Sequence, residues 1–356
     1  MKNKTLLYHD KPLFGLDIGY GSVKFMQLIK GRNKYQVHGY GSGEFDPKYI
    51  KNGVIMEHEA FAAQVKKTFK DNLIGKIDTK RVALSIPSSK TYTRTLTLPP
   101  IKDSELAEAV RAEAEQYIPA PLETLYLDYQ VIEKTDKVVE VLVVAAPKNV
   151  VDSYMLVTRL LGLEAVAFDT SITAGGRLFE RQNLYTEIPS ILIDFGSLSA
   201  DITIHDKTTI VTGTLPSGGD TFSELIAEEL KVSPNEAHII KTKYGLSKSK
   251  KQAQIIKALE PSMTKLLKEI RRMLRYYEDR TDDSKKSIDQ IVTMGGGANM
   301  PGLSEYLTSR LRLPVRTSDP LYNVSLGKLQ PPSQLEKSLY VTVTGLALIE
   351  PKELFT

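Results

Sequence analysis

The chain has no cysteine, which removes disulfide frameworks, thiolate metal sites and thiol nucleophiles together and fits a reducing compartment. Nowhere does it approach the run of about 18 apolar residues that a membrane-spanning helix needs. The apolar stretch inside Met1–Gly15 is too short and too interrupted for a signal peptide. A cytoplasmic protein with no direct membrane insertion is expected. Acids are missing from Ala237–Leu259, which carries Lys241, Lys243, Lys248, Lys250, Lys251 and Lys257. Tyr244 alone among aromatic residues lies between those lysines, which makes no stacking pattern, and no helix-turn-helix or zinc pattern accompanies them. The stretch reads as a solvated face, and nucleic acid is not an expected partner. Also absent are the spaced G-x-G-x-x-G of dinucleotide folds and the G-x-x-x-x-G-K-[ST] of P-loops.

What is present is the composition of a folded protein, with 41% hydrophobic and 25% charged residues in 356. That length predicts two globular halves. Leu13–Ile18 and Val23–Ile29 read as strands joined by the turn Gly19–Ser22, and a third strand follows at Lys34–Tyr40. Phe61, Val65 and Phe69 recur every fourth residue, which predicts an amphipathic helix over Glu57–Leu73. Arg81–Ile86 and Thr91–Leu98 are strands, and a helix from Asp103 stops at Ile118 because Pro119 disfavours helical geometry in the residue before it. An apolar strand at Val138–Ala146 and a helix at Val150–Leu161 complete a small α/β insertion. Strands at Ser190–Asp194, Ala200–His205 and Thr209–Leu215 then restart the opening pattern. They lead to helices at Asp220–Leu230 and Pro261–Tyr277, an acidic-basic loop through Lys286, and a strand at Ile288–Met294.

The chemistry lies in a repeat. Leu16-Asp-Ile-Gly-Tyr-Gly-Ser22 and Ile193-Asp-Phe-Gly-Ser-Leu-Ser199 each follow one apolar strand and precede another. Glycine lets backbone N–H groups approach phosphate oxygens, and serine hydroxyls add donors. Gly19, Tyr20, Gly21 and Ser22 thus form one candidate phosphate loop and Gly196, Ser197, Leu198 and Ser199 the other, with Lys24 as a charge partner. An acid in each loop would repel phosphate unless a cation lay between them. Asp17 and Asp194 are therefore expected to organise Mg²⁺ through its water shell. Gly295, Gly296, Gly297 and Ala298 follow an apolar strand, and a flat base and ribose can pack on such bare backbone.

In this order, Asp17-Ile-Gly19, Asp194-Phe-Gly196 and Gly295–Ala298 resemble the phosphate and adenosine loops of the actin, heat-shock chaperone and sugar kinase superfamily, over nearly the whole chain. Within it, Ser85–Ser89, Arg94–Pro99, Glu105–Pro119 and Leu142–Pro147 resemble the type IV pilus assembly PilM family. That family is similar to the cell-division protein FtsA. The resemblance implies an α/β, actin-like ATPase fold of two related halves with an FtsA/PilM-type inserted α/β subdomain (SHS2 domain) over 82–162. The first half is then 1–81, continued by 163–189 and about 336–356, and the second is 190–335, with 216–287 as a peripheral helical subdomain. It implies ATP and Mg²⁺ as cofactors and places Gly218, Gly219, Asp220, His238 and Lys241 near the nucleotide. Relatives usually carry Glu at the position of His238, to hold the ribose. Asp169 falls where relatives orient the attacking water. Tyr20, Ser197 and Leu198 depart from the small residues usual in these loops, which implies retained binding with weak or slow turnover.

The expected function is an ATP-binding scaffold recruited to the inner face of the cytoplasmic membrane by the N-terminal tail of a PilN-like protein. The tail is expected to add a strand along an exposed edge such as Tyr92–Leu98. Pilus assembly ATPases and a second copy of the chain are further expected partners. The alternative is an FtsA-like filament-forming tether of cell division, although Pro351–Thr356 offers no amphipathic membrane helix. A sugar-kinase reading lacks a separate motif for its general base.

Overall fold

A computed structural model describes residues 11–31, 34–182, 188–279, 287–334, 336–350 and 354. The loop through Lys286 and most of Pro351–Thr356 lie outside them. The first half opens with three antiparallel strands, β1 (Phe14–Ile18), β2 (Ser22–Lys30) and β3 (Tyr35–Glu44). A hairpin of β4 (Ile50–Lys51) and β5 (Val54–Ile55) leads to helix α1 (His58–Asn72). The predicted spacing of α1 is realised in packing, since Phe61 and Val65 are fully buried and Phe69 stacks on Phe25 with ring centroids 4.2 Å apart. β6 (Ile74–Gly75) pairs with β3, and β7 (Arg81–Ile86) runs parallel to β1.

The next segment leaves this sheet. β8 (Tyr92–Leu98), α2 (Asp103–Tyr117), β9 (Leu125–Lys134) and β10 (Val139–Pro147) form a module with its own core of Leu96, Leu106, Val110, Val139, Val141 and Val143. α3 (Lys148–Leu160) returns to the first half, burying Val150, Tyr154 and Val157 against the cluster that holds Phe14 and Leu16. β11 (Glu164–Thr170) then pairs parallel to β7. β7 and α3, at the two ends of the 82–162 segment, pack with the first half, every side chain of β7 being buried in the sheet between β1 and β11. β9 is a strand that the sequence reading left unassigned, and Lys102 stands at the N-cap position of α2 without a side-chain capping hydrogen bond.

The second half follows α4 (Ser171–Arg181). Its strands are β12 (Ser190–Phe195), β13 (Ala200–Asp206) and β14 (Thr208–Leu215), and its helices are α5 (Gly219–Leu230), α6 (Pro234–Lys243) and α7 (Gln252–Glu278). α7 begins nine residues before the predicted start at Pro261. The buried stripe of Ile255, Ala258 and Leu259 holds the extra turns, and Pro261 itself is exposed, where its ring displaces no packing. β15 (Gln290–Met294), α8 (Leu303–Leu311), β16 (Val315–Thr317), β17 (Val324–Ser325) and α9 (Val341–Ala347) complete the chain.

The strand orders are β11-β7-β1-β2-β3-β17 and β16-β15-β12-β13-β14-β8-β10-β9. The inserted module therefore extends the sheet of the second half through β8. Arg94 faces Val211 across the join, Thr95 Oγ1 donates to the Thr209 carbonyl (2.5 Å) and Thr212 Oγ1 to that of Thr93 (3.3 Å). β8 is consequently not the exposed edge expected for Tyr92–Leu98, since β10 and β14 flank it. Between the two main sheets, α4 and α9 pack closely. Any side chain at Gly345 would strike the Ala174 carbonyl, so glycine at this crossing lets α4 and α9 approach closely.

Candidate functional site

The two Asp-x-Gly repeats fold as the same object. In the β1–β2 hairpin the Gly19 N–H donates to the Ser22 carbonyl (3.0 Å), and in the β12–β13 hairpin the Gly196 N–H donates to that of Ser199 (2.9 Å). Lys24 stands opposite Asp17 in the first, and Asp201 opposite Asp194 in the second. Facing residues of an antiparallel pair share one side of the sheet, so each hairpin presents a pair of side chains to a common floor. Three carboxylates and one ammonium meet there. Lys24 Nζ lies 3.2 Å from Asp17 Oδ2, and Ser85 Oγ donates to Asp17 Oδ1 at 2.6 Å.

This crowding shifts the acids. Burial, then the charges of Asp201 and Asp17, pushes Asp194 up to about 7, with Lys24 opposing. Burial pushes Asp201 up to about 6, and the Thr214 hydroxyl, donating at 2.6 Å, opposes the rise. Isolated aspartates titrate near 4, so both acids stand well above the usual carboxylate range.

Above the floor is a cavity of about 410 Å³, within the range of small-molecule sites. The structure brings Asp17, Gly19, Tyr20, Ser22, Lys24, Asp194, Gly196, Ser197, Leu198, Ser199, Gly219, Asp220, His238, Lys241, Gly295, Gly296 and Gly297 to its wall. Gly21, Gly218, Ala298 and Asp169 do not line it. Ala298 is buried in the core of the second half. At the start of α5, the N–H groups of Gly219 and Asp220 donate to the Gly196 and Ser197 carbonyls (2.9 Å each), so this helix braces the second loop. Lys241, on α6, places Nζ 2.5 Å from the Gly219 carbonyl, and burial lowers its pKa while Asp220 opposes. His238, one turn earlier, is exposed at the rim.

The glycine loop closes the far wall. Gly295 has φ +79°, and a side chain there would collide with Asp194 Oδ1. Ser338 Oγ donates to the Gly295 carbonyl (2.8 Å) and accepts from Asn299 Nδ2 (2.7 Å). Asp169 is committed elsewhere, with Arg177 Nη1 2.7 Å from its carboxylate and the Thr170 N–H donating to it at 2.8 Å, while Thr170 caps α4.

Sequence reasoning missed Ser85, Asp201, Ser89, Ser171 and Ser338, all on the cavity wall. The repeat itself could have found Asp201, since Asp17, Gly19, Ser22 and Lys24 have the same spacing as Asp194, Gly196, Ser199 and Asp201. Ser85 carries no comparable signal.

Two sheets joined through paired central helices, with matched hairpins and a glycine loop around one cleft, define an actin-like ATPase fold. Solved structures agree. EutJ, the ethanolamine utilization protein of Carboxydothermus hydrogenoformans, matches at TM-score 0.53 with 16% identity, over 94% of this chain and 88% of that one. MreB 5 of Spiroplasma citri bound to AMPPNP matches at 0.52 with 14% identity, over 94% of each chain. The structure of a PilM-PilN type IV pilus biogenesis complex matches at 0.82 with 24% identity, over 95% of this chain and 98% of that one. The chain belongs to the type IV pilus assembly protein PilM family, whose profile matches residues 15–350.

Proposed function

We propose that the chain is a nucleotide-loaded scaffold of a type IV pilus assembly machine. The observation that carries this is the cleft, where both hairpins, the glycine loop and α6 face one cavity while the inserted module remains outside it. Gly19, Tyr20, Ser22, Gly196–Ser199 and Lys24 would hold the phosphates, and Gly295–Gly297 with His238 and Lys241 the nucleoside. The residues fit a divalent cation, because three carboxylates outnumber the one ammonium of the floor, with burial and then the charges of Asp201 and Asp17 raising Asp194, and burial raising Asp201. Asp17 and Asp194 would act through water, since among the described residues no three acidic or histidine side chains converge as direct ligands. Bound Mg²⁺ would neutralise the phosphate charge. With Asp169 paired to Arg177, turnover is slow.

The partner is the N-terminal cytoplasmic tail of a PilN-like inner-membrane protein, a reading supported by membership in the PilM family and by likeness to a PilM-PilN complex. Among the described residues no helix is long and apolar enough to cross a membrane, and recruitment through that tail would bring the chain to the inner face of the cytoplasmic membrane. We take Tyr92–Pro147 as the inserted subdomain. Where it meets α3, a second cavity of about 420 Å³, lined by Tyr92, Leu125 and Lys148 among others, offers a groove for the tail. The test is capture of immobilised PilN-like tails with and without Mg²⁺–ATP. Capture that depends on nucleotide is expected, and no capture in either state overturns the scaffold reading.

A further inference from the structure

Asp17 is the acid of the first hairpin, and both of its oxygens are engaged. Lys24 takes Oδ2 from the facing strand, and Ser85 donates to Oδ1 from β7, which runs parallel to β1 with Leu84 beside Leu16. Ser85 is 2% exposed in a strand whose other members, apart from Arg81 at its start, are apolar. A buried hydroxyl costs stability unless it is bonded, and here the acceptor is a carboxylate, which makes the bond charge-assisted. We propose that Ser85 is a positioning residue for cation binding. It fixes the rotation of the Asp17 carboxylate, leaving Oδ2 to be shared between Lys24 and the water shell of a divalent cation. Without it the carboxylate can turn toward Lys24 with both oxygens and close the ion pair over the floor.

This inference rests on the reading of the cleft as a Mg²⁺–nucleotide site, and the experiment separates the two. A fluorescent ATP analogue is titrated with Mg²⁺ on the full chain as wild type, Ser85→Ala, Ser85→Thr, Asp17→Asn and the double variant Ser85→Ala with Asp17→Asn, with circular dichroism to confirm folding. Groups that orient a cation's direct ligands alter its affinity by about 10- to 100-fold, and Ser85 acts one water further out, on a carboxylate of the outer shell, so the low end of that range is taken. Ser85→Ala is expected to bind the analogue at saturating Mg²⁺ but to need about tenfold more of it, Ser85→Thr to restore the wild-type requirement, and Ser85→Ala to add nothing in the Asp17→Asn background. A wild type that binds while Ser85→Ala shows an unchanged Mg²⁺ requirement overturns the positioning role alone. So does a loss of binding in Ser85→Ala that excess Mg²⁺ leaves uncorrected. A wild type that binds no nucleotide at any Mg²⁺ concentration overturns the cleft reading and this inference with it.

Discussion

The raised acids of the cavity floor make the empty protein less stable as pH rises. Asp194 titrates near 7 when folded against 3.8 in its unperturbed state. Between those values the folded chain keeps a proton that the unfolded chain has released. The stability that Asp194 contributes is therefore full below about pH 4 and is lost as pH climbs to 7, at about 1.4 kcal/mol per unit. Taken over the whole window this is about 4 kcal/mol, and because the carboxyl faces a cavity open to water, about 2 kcal/mol is the expected share. Asp201 adds a shorter window that ends near 6. The assay is urea denaturation of nucleotide-free, metal-free protein from pH 5.5 to 7.5, beside Asp194→Asn, whose amide stays neutral throughout. Wild type should lose more of its urea midpoint than the variant over this range. Parallel pH profiles for the two proteins would refute the reasoning. Mg²⁺–ATP should steepen nothing and instead release protons on binding, measurable by calorimetry in two buffers of different ionisation enthalpy.

Gly295→Ala should fold less stably by roughly 2–3 kcal/mol, the cost of a side chain at a glycine-only backbone conformation, and should lose nucleotide binding because the new methyl displaces Asp194. Unchanged ATP affinity would show that the glycine loop does not press on the floor. The absence of native cysteine makes Arg94→Cys with Val211→Cys a clean probe of the join between β8 and β14. Facing strand residues lie within disulfide reach, so mild oxidation should close the bridge, read as a gel shift reversed by reductant. No closure with or without nucleotide would mean that the module does not sit against the second half.

The sequence disclosed what is local and hid what is not. Both hairpins were legible because Gly19 and Gly196 serve turns whose hydrogen bonds span a few residues. The stripe of α1 was legible because its partners Phe14 and Phe25 impose helical spacing on Phe61, Val65 and Phe69. The sheet that β7 joins was not legible, because a strand buried on every side carries no mark of its neighbours, and α3 likewise gave no sign that it packs on the first half. α6 was announced by Ser233-Pro-Asn-Glu236, where the Ser233 side chain accepts from the Glu236 N–H, yet its buried face is only Ala237, Ile240 and Lys241, too short a pattern to stand out. Ser85 stayed hidden because its partner Asp17 lies 68 residues away and a serine in an apolar strand usually reads as an ordinary exception.

The inserted module belongs to both halves by different means, and that constrains how the cleft can work. By chain connection it hangs from the first half, through a linker whose Pro87 and Ser89 form cavity wall and whose Ser88 accepts from the Ile172 N–H (3.1 Å) at the start of α4. By strand pairing it is the outer part of the second half's sheet. The main halves meet through α4 and α9, a crossing that Gly345 holds tight. A change in the angle between the halves must therefore be absorbed at the Arg94–Val211 bridge, in the linker, or by moving the module as a body. The bridge is one residue pair with two threonine hydrogen bonds, whereas β8 and β10 pair along seven residues. The weak bond is the one between module and half, and the strong one lies inside the module. Rearrangement at the cleft is thus expected to leave the module intact and to change where it sits, carrying the groove beside Tyr92 and Lys148 with it.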